Sequence, residues 1–106
     1  MKKNLHLWAL FWLTAVSGKA DAFQYISGQV TSIEASYMPT KIPFVLSVGN
    51  AACPAGKPVY WENSSVDNNK AIYATLVTAL TTGKKVTFII GDDDKSCIGK
   101  FLYLEG

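Results

Sequence analysis

Along residues 23–37 apolar and polar positions alternate, with Tyr25, Ser27, Gln29, Thr31 and Ile33 on one parity and Ile26, Gly28, Val30, Ser32 and Glu34 on the other. The stretch is rich in aromatic and β-branched residues, which suit a pleated surface, so the pattern predicts a long first strand. Gly28 inside it points to a bulge or a bend. Met38-Pro39-Thr40-Lys41 reads as a turn. Residues 42–48, IPFVLSV, read as a second strand, with Pro43 near its start where a missing amide donor is easiest to tolerate. Gly49, Asn50, Pro54, Gly56 and Pro58 punctuate a loop over 49–58, and VYWE at 59–62 makes a short third strand before the polar run NSSVDNN.

Between 69 and 82 the apolar period lengthens from two to about 3.6 residues. Ile72, Leu76 and Leu80 fall on one row, Tyr73 and Val77 lie beside it, and Ala79 completes the stripe. This predicts a helix packed on a core, capped at its start by Asn68 or Asn69 and stopped by Gly83. Residues 84–90, KKVTFII, then read as a fourth strand, 91–99 as a loop, and 100–105, KFLYLE, as a fifth. Three strands, one helix and two strands is the order of an OB-fold, a five-stranded Greek-key barrel whose helix lies between the third and fourth strands. The fold expected is therefore mainly β with one helix, arranged βββαββ in a closed barrel. An open α+β sheet with the helix on one face is the rival.

The first 22 residues change how the rest is read. Lys2 and Lys3, the apolar stretch 5–16 and Ala20-Asp21-Ala22 have the layout of a secretory signal peptide cleaved after Ala22. About a dozen apolar residues fall short of the ~20 that a membrane-spanning helix needs, so no membrane span is expected in the mature form. One domain over 23–106 remains, about 84 residues, enough for a single core. Its seven lysines face seven acidic residues and it has no arginine, which argues against a nucleic-acid partner. The one histidine, His6, belongs to the leader, so a Ser-His-Asp or Cys-His arrangement is excluded from the domain. Cys53 and Cys97 are the only cysteines, and in an exported chain such a pair is most simply one disulfide. Secretion or residence in a periplasm is the expected localisation.

Ser27-Gly28-Gln29-Val30 in the first strand and Thr81-Thr82-Gly83-Lys84-Lys85-Val86 after the helix resemble the B-subunit family of subtilase cytotoxin and pertussis-like toxins, whose matching stretches have the forms S-G-x-V and T-G-x-x-V. Ile89 and Ile90 stand where that family has aromatic residues near the end of the fourth strand, and the cysteine positions differ. The resemblance implies an OB-fold homopentamer that binds sialylated host glycans and carries a separate catalytic subunit. Ser27 stands at the position of the serine that contacts the sugar in that family.

Trp61, the one tryptophan beyond the leader, is the second candidate ligand-binding residue, offering a broad apolar face and a polar N–H. Asp92-Asp93-Asp94 reads as a solvated turn, because it lacks the ligand spacing of a calcium loop, and no metal or cofactor is expected. Asn63-Ser64-Ser65 fits a glycosylation acceptor but equally suits a loop before a helix. No catalytic residue is assigned, since Glu34 and Glu62 are a carboxylate pair without any sign that they meet. The expectation is a non-catalytic binding module for a sialylated glycan or a toxin partner protein, acting as a homo-oligomer. The alternative is a periplasmic structural or stress-associated OB-fold protein that binds an envelope protein.

Overall fold

The computed structural model describes residues 22–106; the leader expected over 1–22 lies, but for its last residue, outside the described residues. The chain runs β1 (Phe23–Ile33), β2 (Lys41–Leu46), β3 (Val59–Glu62), α1 (Val66–Thr82), β4 (Lys85–Gly91) and β5 (Phe101–Leu104). The five strands form one antiparallel sheet in the order β3-β2-β1-β4-β5. The fold is therefore mainly β with one helix, as the apolar patterning predicts. The sheet is open. Its edges, β3 and β5, form no ladder, and the only described link between them is a parallel bridge from Tyr60 to Ile98, just ahead of β5.

β1 pairs with β4 without interruption from Phe23 opposite Gly91 to Gln29 opposite Lys85. Strand side chains alternate between faces, so this register puts Ile26 and Val30 in the core and leaves Phe23, Tyr25, Ser27 and Gln29 outside. The expected bulge is present but not at Gly28. The register of β1 against β2 shifts between Val30 and Ser32. Gly28 serves a close approach instead, since a Cβ there would stand 2.7 Å from a methyl of Val48. β1 also ends at Ile33, short of residue 37, because the next residues are taken up by turns in which Thr40 N–H donates to the Tyr37 carbonyl at 2.9 Å.

The inner face curls round a core in which Ile42, Phe44, Leu76, Val86, Phe88 and Ile90 are fully buried. Phe44 of β2 and Phe88 of β4 meet edge to face at 5.3 Å although β1 lies between their strands. Each such side chain contributes roughly 2 kcal/mol by leaving water.

α1 begins three residues earlier than the periodicity implies. Ser65 is the cap, its hydroxyl accepting from Asn68 N–H at 3.1 Å, and Asp67 in the first turn complements the helix dipole. Gly83, at φ 76°, ends the helix with its N–H donating to the Ala79 carbonyl. Leu76 and Ala79 are buried with Ile72 and Tyr73 packed beside them, whereas Leu80 is 41% exposed and leaves the expected row. Asn69, also buried, donates to the carbonyls of Pro39 at 2.6 Å and Asn63 at 2.9 Å, tying the start of the helix to the turn after β1.

Cys53 and Cys97 form the expected disulfide, with Cα atoms 5.9 Å apart. It joins the loop after β2 to the loop before β5. Cys97 takes a left-handed backbone, φ 62°, and its carbonyl accepts from Tyr60 N–H at 2.9 Å, while Gly99 N–H donates to the Tyr60 carbonyl at 2.8 Å. The covalent bond ties Cys97 to the loop after β2, and the two hydrogen bonds hold residues 97–99 against Tyr60 of β3. Closing a loop of 44 residues' separation limits the unfolded chain by about 4 kcal/mol on the chain-entropy account, a large share of the stability of a small domain. Replacing both cysteines with alanine is expected to lower the unfolding free energy in urea by about that amount. A loss below about 1 kcal/mol would show that the loops are held without it.

Candidate functional site

The outer face of β1, β4 and β5 is a lattice set by register. Tyr25, Ile89 and Phe101 form one row, and Ser27, Thr87 and Tyr103 the next. Gln29 and Lys85 follow as a pair, with Glu105 beside them because its N–H donates to the Lys85 carbonyl at 2.9 Å. Large aromatics on this face stay in water: Tyr25 is 64% exposed, Tyr103 56%, Phe101 49% and Phe23 41%. Ile89, in the middle, is 5% exposed, because its neighbours across the strands cover it. Phe23 and Phe101 meet edge to face at 5.8 Å. A cluster of exposed aromatics of this kind marks a binding surface more often than chance.

Polar groups adjoin the aromatics. Thr87 Oγ1 lies 2.7 Å from Glu105 Oε2 and 3.4 Å from Ser27 Oγ. A threonine hydroxyl has one proton, and the nearer, charged acceptor takes it. Ser27 is exposed and keeps its own hydroxyl proton free for a ligand or for Thr87. Gln29 is held aside, its Nε2 donating to the Gly83 carbonyl at 2.9 Å.

The two sequence candidates are not brought together. Ser27 is at the centre of the outer face, but Trp61 of β3 points into the core, 5% exposed, with its indole N–H donating to Asn68 Oδ1 at 2.9 Å. Tyr25, Thr87, Phe101, Tyr103 and Glu105 escape notice in the sequence. Tyr25 shares the parity of Ser27, which is a signal, but nothing in the chain alone aligns β5 with β1.

A concavity of about 500 Å³ opens at the end of β4 between Phe23, Lys100 and the acidic run 92–94. Gln24 Nε2 donates there to the carbonyls of Gly91 at 3.2 Å and Asp92 at 2.7 Å, which fixes the turn. Among the described residues no three metal-ligating side chains converge. Burial raises the Asp94 pKa, but hydrogen bonds from the Ser96 hydroxyl and from the amides of Ser96, Ile98 and Cys97 outweigh it and hold the carboxyl below its ordinary range. Glu62 is occupied by Lys41, 3.5 Å away.

The chain matches no family model, no curated protein and no solved structure in the comparisons made. The chemistry of the outer face therefore carries the functional reading alone.

Because the folded carboxyl of Asp94 has the lower pKa, its contribution to stability is complete above the unfolded value of about 4 and is lost as pH falls through the folded value. Asp94→Asn is expected to lower the thermal midpoint at pH 7 and to flatten the loss of stability below about pH 4. Parallel pH profiles for the two proteins would contradict this.

Proposed function

We propose that this chain is an exported, non-catalytic binding module that takes a glycan on the outer face of β1, β4 and β5. The observation that carries the reading is the juxtaposition of exposed Tyr25 and Tyr103 with the hydrogen-bonding set Ser27, Thr87 and Glu105. A pyranose has an apolar C–H face that lies flat on an aromatic ring and hydroxyls that need both donors and acceptors, and this surface offers both. Its rigidity favours binding, since groups fixed on paired strands lose little freedom when a ligand arrives.

Export is supported by the leader-like segment 1–22 and by a disulfide that an oxidising compartment preserves. The OB-fold barrel is supported by the element order and by the bridge from Tyr60 to Ile98, which continues the sheet from β3 toward β5. The non-catalytic reading is supported by the absence of histidine beyond the leader and by the engagement of Glu62 with Lys41. The toxin-like homopentamer remains the assembly that the sequence resemblance implies, and an associated enzymatic subunit would be its cargo.

A second reading, in which the ligand is an envelope protein, is favoured by β5. It is an edge strand without proline, and Phe101, Tyr103 and Leu104 are all more than two-fifths exposed.

Tyr25→Ala and Tyr103→Ala are each expected to weaken binding to a glycan array by about tenfold or more, with thermal midpoints nearly unchanged because both rings are exposed. Light scattering on the same samples reports the assembly. A wild-type protein silent on the array would overturn the glycan reading and leave the protein-partner reading in its place.

A further inference from the structure

We infer that the outer face selects uncharged sugars and turns away sialylated or otherwise acidic ones, with Glu105 as the selecting group. The inference rests on the glycan reading above and runs against the sialylated ligand that the sequence resemblance implies.

Few protons are available in the hydrogen-bonding set of Ser27, Thr87 and Glu105. Thr87 gives its only hydroxyl proton to Glu105 Oε2 at 2.7 Å, so it faces a ligand as an acceptor. Glu105, ionised, accepts only and has lone pairs left after the bond from Thr87. Ser27, 3.4 Å from Thr87 Oγ1, is the hydroxyl of this pair whose proton is not committed to Glu105. The set therefore holds an excess of acceptors and a full negative charge. A neutral pyranose presents hydroxyls, each a donor as well as an acceptor, and can give protons to Glu105 and Thr87 while accepting from Ser27. A carboxylate or sulfate brings acceptors alone and a like charge.

Lys100 lies at the Phe23 end of the face, beside Gly91 and the acidic run, and Lys85 stands in the row of Gln29 and Glu105. Among the described residues, no ion pair or hydrogen bond brings either ammonium to Ser27, Thr87 or Glu105, and the ion pair that is present joins Lys41 to Glu62. The Glu105 carboxylate touches the Thr87 hydroxyl, and among the described residues no such contact is made by the Lys85 ammonium. The charge in contact with this hydroxyl pair is that of Glu105.

Isothermal titration of the purified protein with lactose, maltotriose and 3′-sialyllactose tests this, with Glu105→Gln as the variant. Glutamine keeps an oxygen to accept from Thr87 and removes the charge. The expected result is that lactose or maltotriose binds about tenfold tighter than 3′-sialyllactose, that E105Q closes most of that gap, and that the gap narrows as salt is raised from low to high. Wild-type binding of 3′-sialyllactose as tight as that of the neutral sugars, or a gap unchanged in E105Q, would overturn the inference and leave the glycan reading standing. Binding of none of the three sugars by either protein, with both folded by circular dichroism, would overturn the glycan reading and this inference with it.

Discussion

The ladder between β1 and β4 decides both the inside and the outside of this domain. Seven consecutive residues of β1 pair with β4, and each pair commits two side chains to the same face. Ile26, Val30, Phe88 and Ile90 are in the core for the same reason that Tyr25, Ser27, Thr87 and Phe23 are out of it. A slip of β1 by one residue would put Tyr25 and Ser27 into the packed interior and Ile26 and Val30 into water. The burial energy of the inner row therefore holds the outer row in place. The outer row is positioned without any loop to organise it.

Other fastenings set how far the sheet curls. The disulfide ties Cys97 to the loop after β2, the two hydrogen bonds of Tyr60 keep residues 97–99 on β3, and Gly99 lies where any side chain would collide with Phe88 and Trp61. Trp61 is thus a packing residue whose one polar atom is satisfied by the first turn of α1. β5 begins two residues after Gly99 and extends from this anchored segment along β4, so the position of Phe101 and Tyr103 beside Ile89 and Thr87 depends on the anchor as well as on the ladder. Loosening the disulfide would be felt at the outer face through β5.

Much of this was legible in the chain. The element order, the helix with its terminal Gly83, the short VYWE strand and the pairing of Cys53 with Cys97 all follow from periodicity, turn residues and cysteine count. The helix start was hidden because Ser65, Asn68 and Asn69 are all competent caps, and only the bond from Asn68 N–H to Ser65 selects among them. The role of Gly28 was hidden because a bulge and a close approach leave the same mark in sequence. The aromatic face was hidden for a different reason. In β4 and β5 both parities are apolar, with Phe88 beside Ile89 and Phe101 beside Leu102, so alternation does not say which side meets water. The motif singles out Ser27, whereas Thr87 and Glu105 are 60 and 78 positions away and come near only through cross-strand register.

On the proposed reading ligand binding belongs to the outer row of this ladder, and nuclear magnetic resonance maps it residue by residue. Titrating lactose or maltotriose into ¹⁵N-labelled protein is predicted to shift the amide signals of Tyr25, Ser27, Thr87 and Tyr103 together while leaving β2, β3 and α1 still. Shifts centred on the loop 49–58 or on the helix, or none on β1, β4 and β5, would contradict it.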